Sequence, residues 1–453
     1  MYLALLYTSN ISTSSIRCCW ACHCSETLYR ISGQINISLG TTSTIWGRNQ
    51  VGHVLVVHPL CSMDIYSSRN SEVIHSGLFY PPESLKTRLC LRGRDLMYQH
   101  CIANNIPFKR TGKLVVARES QKSYIENLYK KSLNLKSPKY APPGVGPMVP
   151  TSLLSKEKTR EMEPDLGDEI VSSLWCPMTG IVDSHAFMES LEKDIQESEG
   201  GELIYSTTVV RVDPYRKSTR VRSIPDVDAA EDGWVVQASS KQGETYAVLA
   251  RNLINASGLG SALVLNSFLL KEKRIPMYYA KGSYASYHGP GVSHITHLIY
   301  PCPETGPNVH AFESLGTHLT LDLHGRIRFG PDLEWIDLPE SEITGTEEDA
   351  DFWTKTLKPD ESRLPDMHQA VTSYLPGVAL EGLQPDYCGI RPKLIPPGGG
   401  FQDFVIRTDY PSGDAEHNRS RPMVSLLGIE SPGLTSCLAI AELIAKDILR
   451  KTL

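Results

Sequence analysis

The sequence contains no apolar stretch as long as a membrane-spanning helix, which needs about 18 to 20 such residues, so it predicts no transmembrane span. It also lacks an excess of positive charge, because 45 basic residues stand against 51 acidic ones. Without a concentrated basic surface we expect no nucleic-acid partner, although a small acid can still bind in a basic pocket. We find no internal repeat. At 453 residues, the chain is long enough for about two or three globular domains.

The cysteines do not form the framework of a disulfide-linked protein. Of the 11 cysteines, Cys18, Cys19, Cys22 and Cys24 cluster near the N-terminus and most others stand singly among apolar residues, which is typical of a reducing compartment. The cluster could supply half of a zinc site, but no second ligand pair follows at a standard spacing. We therefore predict no metal site. The first 25 residues, poor in acids and rich in serine, match a mitochondrial transit peptide only weakly.

From about residue 67 onward, helical and strand patterns alternate. Helical patterns lie at residues 84–98 and 120–133, and a further helix with the N-cap candidate Asp183 is predicted to end near residue 200. Residues 275–335 have the alternating character of an antiparallel sheet, and residues 340–364 predict a surface excursion with a helix. The apolar strand patterns are at residues 51–57, 113–117, 202–212, 234–238, 249–255 and 424–427. The alternation predicts a mixed α/β (α+β) fold that contains parallel strand pairs.

Near the C-terminus, a strand leads through a Gly/Pro turn into a helix predicted over residues 434–451. The turn contains Gly428 and Gly433, and glycine lets the backbone approach a flat ring or a phosphate closely. The first N–H groups of the helix have no partner inside it, so they can donate to an electron-rich ligand. The alternative is a simple strand-to-helix connection in which Ser431 is the N-cap.

Two other segments contain candidate ligand contacts. Residues 253–260 form an apolar strand that ends in small residues, although Leu263 occupies the last glycine position of a G-x-G-x-x-G motif. Residues 67–80 place small polar residues before His75 and Gly77. His75 could accept a hydroxyl proton at neutral pH, or it could be a structural histidine.

From about residue 67 to the C-terminus, the chain resembles L-2-hydroxyglutarate dehydrogenases, which belong to the D-amino-acid-oxidase-like flavoproteins. The segments that carry the resemblance are residues 70–117 with Gly77-Leu78-Phe79-Tyr80-Pro81-Pro82 and Cys90-Leu91-Arg92-Gly93-Arg94, then residues 177–183, 279–282, 300–301, 316–320, 328–331, 389–393 and 428–435.

The resemblance implies two parts of the chain. A discontinuous FAD-binding domain is expected over residues 67–111, 177–270 and 380–453, and a substrate-binding domain on an antiparallel sheet over residues 112–176 and 271–379. FAD is the implied cofactor, and the implied reaction oxidises L-2-hydroxyglutarate, a small 2-hydroxy acid, to 2-oxoglutarate. The partner is an electron acceptor other than oxygen. The implied location is mitochondrial, with the cytoplasm as the alternative.

The resemblance also assigns candidate site residues. His75 and His318 are alternative bases for the hydroxyl proton as hydride leaves C2 for the flavin. Arg391 is the candidate ligand of a substrate carboxylate, because a guanidinium matches that group bidentately; a buried ion pair is the alternative for this residue. Lys281 and Tyr80 are further catalytic candidates. The candidate FAD contacts are Ser68, Arg69, Asn70, Ser71, Val209, Ala256, Ser257, Gly258, Gly428, Glu430, Ser431, Gly433, Leu434 and Thr435.

The first 66 residues depart from the family pattern. The family begins with a strand, a G-x-G-x-x-G turn and a helix, which bring backbone N–H groups to the FAD diphosphate. No such turn occurs in residues 1–66. Either the gene has another first exon that carries the turn, or the chain has lost tight FAD binding and its activity. We predict that the chain as given binds FAD poorly.

Two other functions remain open at this point. The first is an amino-acid or other hydroxy-acid oxidase of the same superfamily. The second is a non-catalytic protein that keeps the scaffold without its cofactor. The FAD content of the purified chain would separate both enzymes from the non-catalytic protein.

Overall fold

The computed structural model describes residues 69–143, 146–198, 201–205, 207–216, 232–240, 243–303, 316–337, 355–413 and 421–449, together with four strands nearer the N-terminus. The α-helices are α1 (Leu85–Ala103), α2 (Lys122–Asn134), α3 (Lys156–Met162), α4 (Ser184–Glu197), α5 (Ser261–Asn266), α6 (Leu364–Thr372) and α7 (Gly433–Leu443). Within this part of the chain, none of the helices combines the length and the apolar character needed to cross a membrane.

The strands are numbered in chain order. They are β1 (Ala4–Leu6), β2 (Arg17–Cys19), β3 (Thr27–Ile31), β4 (Gly52–Val57), β5 (Val73–Ile74), β6 (Phe108–Lys109), β7 (Lys113–Ala117), β8 (Ser152–Ser155), β9 (Ser172–Cys176), β10 (Gly180–Val182), β11 (Gly201–Tyr205), β12 (Thr207–Tyr215), β13 (Gly233–Ser240), β14 (Thr245–Asn255), β15 (Tyr278–Tyr287), β16 (Leu298–Pro301), β17 (His318–Leu321), β18 (Ile327–Gly330), β19 (Glu334–Ile336), β20 (Leu383–Lys393), β21 (Val405–Asp409) and β22 (Met423–Leu427).

One sheet mixes parallel and antiparallel pairs. Its order is β11-β3-β4-β14-β13-β12, and β22 with β21 joins it at β14. β14 pairs in parallel with both β4 and β22, whereas its pairing with β13 is antiparallel. The predicted mixed fold with parallel pairs is therefore confirmed, and β4 lies where a strand was predicted at residues 51–57.

Among the strands described nearer the N-terminus, the neighbours β3 and β4 do not form a strand–helix–strand unit. β3 and β4 run antiparallel, with Tyr29 opposite Val56 and Ile31 opposite Val54. A crossover helix joins strands that run parallel, so the pair cannot be the first unit that the resemblance implies. The sequence predicts an altered N-terminus, and the antiparallel direction of β3 relative to β4 agrees with that prediction.

The second large sheet is mostly antiparallel. Its order is β19-β15-β18-β17-β16-β7-β9-β8, and β20 pairs along almost the whole of β15. Only the β16–β7 pair among these described strands is parallel. The antiparallel sheet predicted for residues 275–335 is confirmed. The assignment of residue ranges to an FAD-binding and a substrate-binding domain stays a prediction.

Helices α1 and α7 pack closely against one another. Gly93 makes this possible, because a Cβ atom at this position would lie only 2.1 Å from the carbonyl oxygen of Thr435. Around the contact, Met97 and Cys101 of α1 share a buried core with Cys437 and Ile440 of α7. The close approach fixes the start of α7, and with it the Gly/Pro turn, relative to the rest of the molecule.

A small sheet positions the segment that carries His75. It has the order β5-β10-β6, and Val73 and Ile74 of β5 pair with Ile181 and Gly180. Val73 belongs to the core of the antiparallel sheet and Ile74 to the core under α1 and α7. Because the two residues of β5 pack in different cores, the next residue, His75, lies at the boundary between these cores.

Candidate active site

A cavity of about 430 Å³ lies at this boundary, a volume typical of a small-molecule site. Its walls come from the segment after β5, from β15, β17 and β20 of the antiparallel sheet, and from the turn before α7. The predicted residues that line it are Arg69, Asn70, Ser71, His75, Tyr80, Gly258, His318, Arg391, Glu430, Ser431, Gly433 and Leu434.

His75 is held by the first turn of α7. Its backbone N–H donates to Oγ1 of Thr435 at 3.0 Å, and that hydroxyl donates to the carbonyl of Val73 at 3.3 Å. Thr435 itself is fully buried and is not one of the lining residues. Burial, reinforced by the charges of Lys113 and Arg391, lowers the pKa of His75 to about 3. The imidazole is therefore neutral at physiological pH and can accept a proton.

His318 begins β17 and faces the same cavity. Its ring stacks on Tyr300 with the centroids 3.8 Å apart and the planes inclined by 9°. Its Nδ1 atom is buried and has no hydrogen-bond partner in the structure. Burial, followed by the charges of Lys113 and Arg391, brings the pKa of His318 well below its ordinary value. An unpartnered, neutral ring nitrogen in a cavity is an acceptor site for a hydroxyl group.

Arg391 approaches the histidines from β20. It lies opposite Ala280 of β15, and its charge acts on both His75 and His318. Beside it, the rings of Tyr284 and Tyr387 stack with centroids 4.5 Å apart. A guanidinium next to two proton acceptors can hold a carboxylate whose neighbouring carbon carries a hydroxyl group.

The turn before α7 forms another wall of the cavity. Gly428 has a φ of +64°, and a Cβ atom there would lie 3.0 Å from Leu394. Ser431 is not the N-cap, because Pro432 occupies that position and no side chain caps the helix; the Ser431 hydroxyl instead lies 3.3 Å from that of Tyr80. The N–H of Gly433 donates to the carbonyl of Glu430, so the N–H groups that follow it are the ones at the cavity end of α7.

A buried ion triad fixes the turn. The carboxylate of Glu430 lies 2.8 Å from Nζ of Lys86 and 2.9 Å from Nζ of Lys393. Burial acts to raise the pKa of Glu430, but the two ammonium groups outweigh it and hold that pKa below its ordinary value. Two cations around one anion leave a net positive charge beside the turn. The sequence did not single out Lys86 or Lys393, because nothing local connects them to Glu430.

The sequence analysis also missed Lys113. This residue begins β7 and is fully buried, and its Nζ atom has no hydrogen-bond partner. The ammonium lies 4.3 Å from the ring centroid of Phe79 and 4.4 Å from that of Tyr300. The one local signal was a charged residue at the start of an otherwise apolar strand, Lys-Leu-Val-Val-Ala.

Other predicted residues lie away from the cavity. Lys281 donates to the carbonyl of Lys358 at 3.3 Å and lies 3.8 Å from Glu334, so its position does not support contact with a substrate. Val209 packs in the core of the mixed sheet. Ser68 lies outside the described residues. The remaining predicted FAD contacts that do not line the cavity are Ala256, Ser257, Gly428 and Thr435.

The cavity wall is strongly cationic although the chain carries a net charge of −6. Among its described lining residues, Glu430 is the acid, whereas the cations are Arg69, Lys86, Lys131, Arg391 and Lys393. Such a lining raises the local concentration of small anions. A substrate with more than one carboxylate suits this environment better than one that carries an ammonium group.

Comparisons with known proteins identify the family of the chain. The family described as FAD dependent oxidoreductase matches residues 63–446. The mitochondrial L-2-hydroxyglutarate dehydrogenase of Arabidopsis thaliana is 33% identical over 443 residues, covering 92% of this chain and 82% of the relative. The human enzyme of the same name is 25% identical, covering 84% of this chain and 80% of the relative.

Solved structures show the same fold. L-alpha-glycerophosphate oxidase from Mycoplasma pneumoniae with FAD bound superimposes with a TM-score of 0.61 at 18% identity, over 86% of each chain. Glycine oxidase from Geobacillus kaustophilus gives a TM-score of 0.59 at 15% identity, over 88% of each chain. On the family match and the relative from Arabidopsis thaliana, the chain belongs to the FAD dependent oxidoreductases, whose cofactor is FAD.

Proposed function

We propose that the chain oxidises a 2-hydroxy acid, namely L-2-hydroxyglutarate to 2-oxoglutarate, with FAD as the oxidant. The observation that carries this proposal is the meeting of two neutral histidines and Arg391 at the N-terminal end of α7. These groups match the parts of the substrate, a hydroxyl group that must lose a proton and an adjacent carboxylate. The relatives named L-2-hydroxyglutarate dehydrogenase support the choice of acid.

The residues fit the flavin end of FAD. Glu430, Ser431 and Gly433 of the turn line the cavity, and the N–H groups at the start of α7 favour the electron-rich edge of a flat ring. The net positive charge of Lys86, Lys393 and Glu430 also attracts the electron-rich edge of the ring. Near the N-terminus, the described strand β4 is parallel to β14 and antiparallel to β3, so β3 and β4 are not the strand–helix–strand unit expected for the diphosphate.

Bound FAD would supply the two-electron oxidation of the carbon that carries the hydroxyl group. The residues of the chain would orient the acid and handle its proton. Arg391 would hold the adjacent carboxylate, and a neutral histidine would take the hydroxyl proton. His318 is the better placed of the two histidines, since its Nδ1 atom has no partner. Tyr80 and Ser431 would close the cavity at the flavin end.

The acid itself would help the base. The cations Lys113 and Arg391 contribute to the low pKa of both histidines. A carboxylate that pairs with a cation cancels much of its charge, so the proton affinity of the imidazoles rises when the acid binds. The histidines are thus poised to accept a proton only when the substrate is in place.

The cationic lining also bears on the alternative substrates. An amino acid brings an ammonium group into a cavity whose described lining contains five cations and one acid. Like charges repel, so we infer that hydroxy acids are favoured over amino acids. We further propose an electron acceptor other than oxygen and a mitochondrial location, as the names of the relatives suggest for the latter.

The test is the visible absorption spectrum of the purified chain with FAD in excess, recorded before and after addition of L-2-hydroxyglutarate. We expect the flavin band to bleach, and an artificial electron acceptor to restore it. The D enantiomer and L-glutamate are the matched controls and should leave the band unchanged. Bleaching by L-glutamate but not by the hydroxy acid would identify an amino-acid oxidase instead.

A further inference from the structure

The buried ammonium of Lys113 acts on the pKa of both histidines, but the site described so far assigns it no ligand. It is fully buried, it has no hydrogen-bond partner, and it lies against the rings of both Phe79 and Tyr300. Burying a charge without an anion is costly. The attraction between a cation and two aromatic rings offsets only part of this cost. A charge that the fold keeps without an internal counterion needs an external one.

The surroundings of Lys113 limit which anion can pair with its ammonium group. Phe79 and Tyr300 both line the cavity, and Tyr300 stacks on His318. Burial lowers the pKa of Lys113 to about 8, so the side chain is mostly charged at neutral pH. No acceptor has to be displaced before an anion reaches the ammonium. The two rings that it contacts belong to the cavity wall itself.

Two cations lie near the histidine pair. Both Lys113 and Arg391 act electrostatically on His75 and on His318, so both lie close to the two imidazoles. The two cations belong to different strands, Lys113 to β7 and Arg391 to β20. A ligand with a carboxylate at each end could therefore pair with one cation at each end and present its hydroxyl group between them.

We propose that Lys113, which lies against Phe79 and Tyr300 of the cavity wall, is the ligand of the distal carboxylate and makes the site selective for dicarboxylic acids. This inference rests on the proposed function for the hydroxyl group, but the subsite itself concerns binding alone. Arg391 holds the carboxylate next to the reacting carbon, and Lys113 holds the other one. Dicarboxylates thus bind with two charge-assisted contacts and monocarboxylates with one.

The test compares ligands that differ by one carboxylate. Glutarate and butyrate binding to the purified chain with saturating FAD is measured by titration calorimetry, in the parent protein and in Lys113→Met. We expect the parent to prefer glutarate by on the order of 100-fold, the contribution of a hydrogen bond between charged groups. The variant should lose this preference and bind butyrate unchanged. Lys113→Arg should retain part of it.

The control is Lys139→Met. Lys139 also lies over an aromatic ring, that of Tyr140 at 4.8 Å, but it is exposed and is not one of the residues that line the cavity. This change should leave both affinities as they are. Because Lys113 has no internal partner, replacing it by an apolar residue of similar length should not unfold the chain. If it does, equal affinity of the parent protein for glutarate and butyrate would still overturn the proposal.

Steady-state kinetics distinguish a failure of this inference from a failure of the proposed function. For the parent and Lys113→Met, kcat/KM is measured with L-2-hydroxyglutarate and with L-2-hydroxybutyrate. A purely structural role for Lys113 would lower both values alike, which would refute the inference while the proposed function stands. A parent protein that binds glutarate through Lys113 but oxidises neither acid would refute the proposed function while the subsite stands.

Discussion

At the scale of single residues, the cavity depends on ionisable groups that are kept out of water. His75 is the clearest example, because burial and two nearby cations bring its pKa to about 3. An unfolded chain has no such environment, so its histidine titrates near 6.5. Between these pH values His75 is protonated in the unfolded state but neutral in the native state. The free energy of unfolding therefore falls as the pH decreases from about 6.5 towards 3.

The His75→Asn variant should therefore tolerate acid better than the parent protein. We expect the midpoint of urea unfolding to fall less between pH 7 and pH 4.5 in the variant, because one proton-linked contribution has been removed. The exposed His185 of α4 provides the control, and His185→Asn should behave as the parent does. Equal losses in His75→Asn and the parent would contradict a buried neutral imidazole.

Arg391 gives a second prediction at this scale. Lysine keeps the positive charge but cannot form the two parallel bonds that a guanidinium offers a carboxylate. Arg391→Lys should lower kcat/KM for L-2-hydroxyglutarate on the order of 100-fold, mainly by raising KM. Steady-state kinetics with an artificial acceptor would measure it. A change below about threefold would mean that Arg391 makes no bidentate contact.

At the scale of elements, the contact between α1 and α7 decides where the turn lies. At Gly93 two effects oppose each other. Alanine is the better helix former by about 1 kcal/mol, yet its Cβ atom would lie 2.1 Å from the carbonyl oxygen of Thr435. Overpacking typically costs about 1 to 3 kcal/mol, and the atom it meets here is backbone that cannot rotate away.

We expect Gly93→Ala to lose about 2 kcal/mol of unfolding free energy despite the gain in helix propensity. It should also weaken flavin binding, since Thr435 holds the backbone of His75. Urea unfolding monitored by circular dichroism would test the first part. Gln99→Ala, at an exposed position of the same helix, serves as the control. A Gly93→Ala protein as stable as the parent would show that the two helices can separate freely.

Local patterns predicted these elements better than they predicted the contacts between them. The predicted strand at residues 113–117 and the Asp183 cap were correct, because both depend on neighbours in sequence. The alternative in which Ser431 caps the last helix is wrong, since the turn places Pro432 at the N-cap position. The environment of Lys113 could not be predicted, because Phe79 and Tyr300 come from distant segments. For the same reason, the sequence marked a strand at residues 51–57 but not its antiparallel partner.

At the scale of the whole molecule, the two ends of FAD meet very different parts of the chain. The flavin end is matched by a defined cavity, whereas the expected strand–helix–strand unit for the diphosphate is replaced by the antiparallel pair of β3 and β4. The diphosphate normally gains much of its affinity from backbone N–H groups at a helix N-terminus. A chain without this contribution should hold the cofactor mainly through its flavin.

The affinities for FAD and for riboflavin 5′-phosphate should therefore be similar in this chain, within about tenfold. Flavin fluorescence quenching during titration of the cofactor-free protein would measure both. Riboflavin 5′-phosphate lacks the adenosine half, so it is a matched probe of the missing contribution. Retention of stoichiometric FAD through gel filtration would contradict the prediction and show that the N-terminal residues bind the diphosphate in another way.

The hydrogen bond between His75 and Thr435 joins residues 360 positions apart, and Lys86 and Glu430 are separated by 344. During synthesis the ribosome releases the second member of each pair only when almost the entire chain has been made. No partial product can assemble the cavity, and loops this long slow its formation after release. A premature stop codon even a few dozen residues from the end would therefore abolish the site, however well the earlier strands had folded.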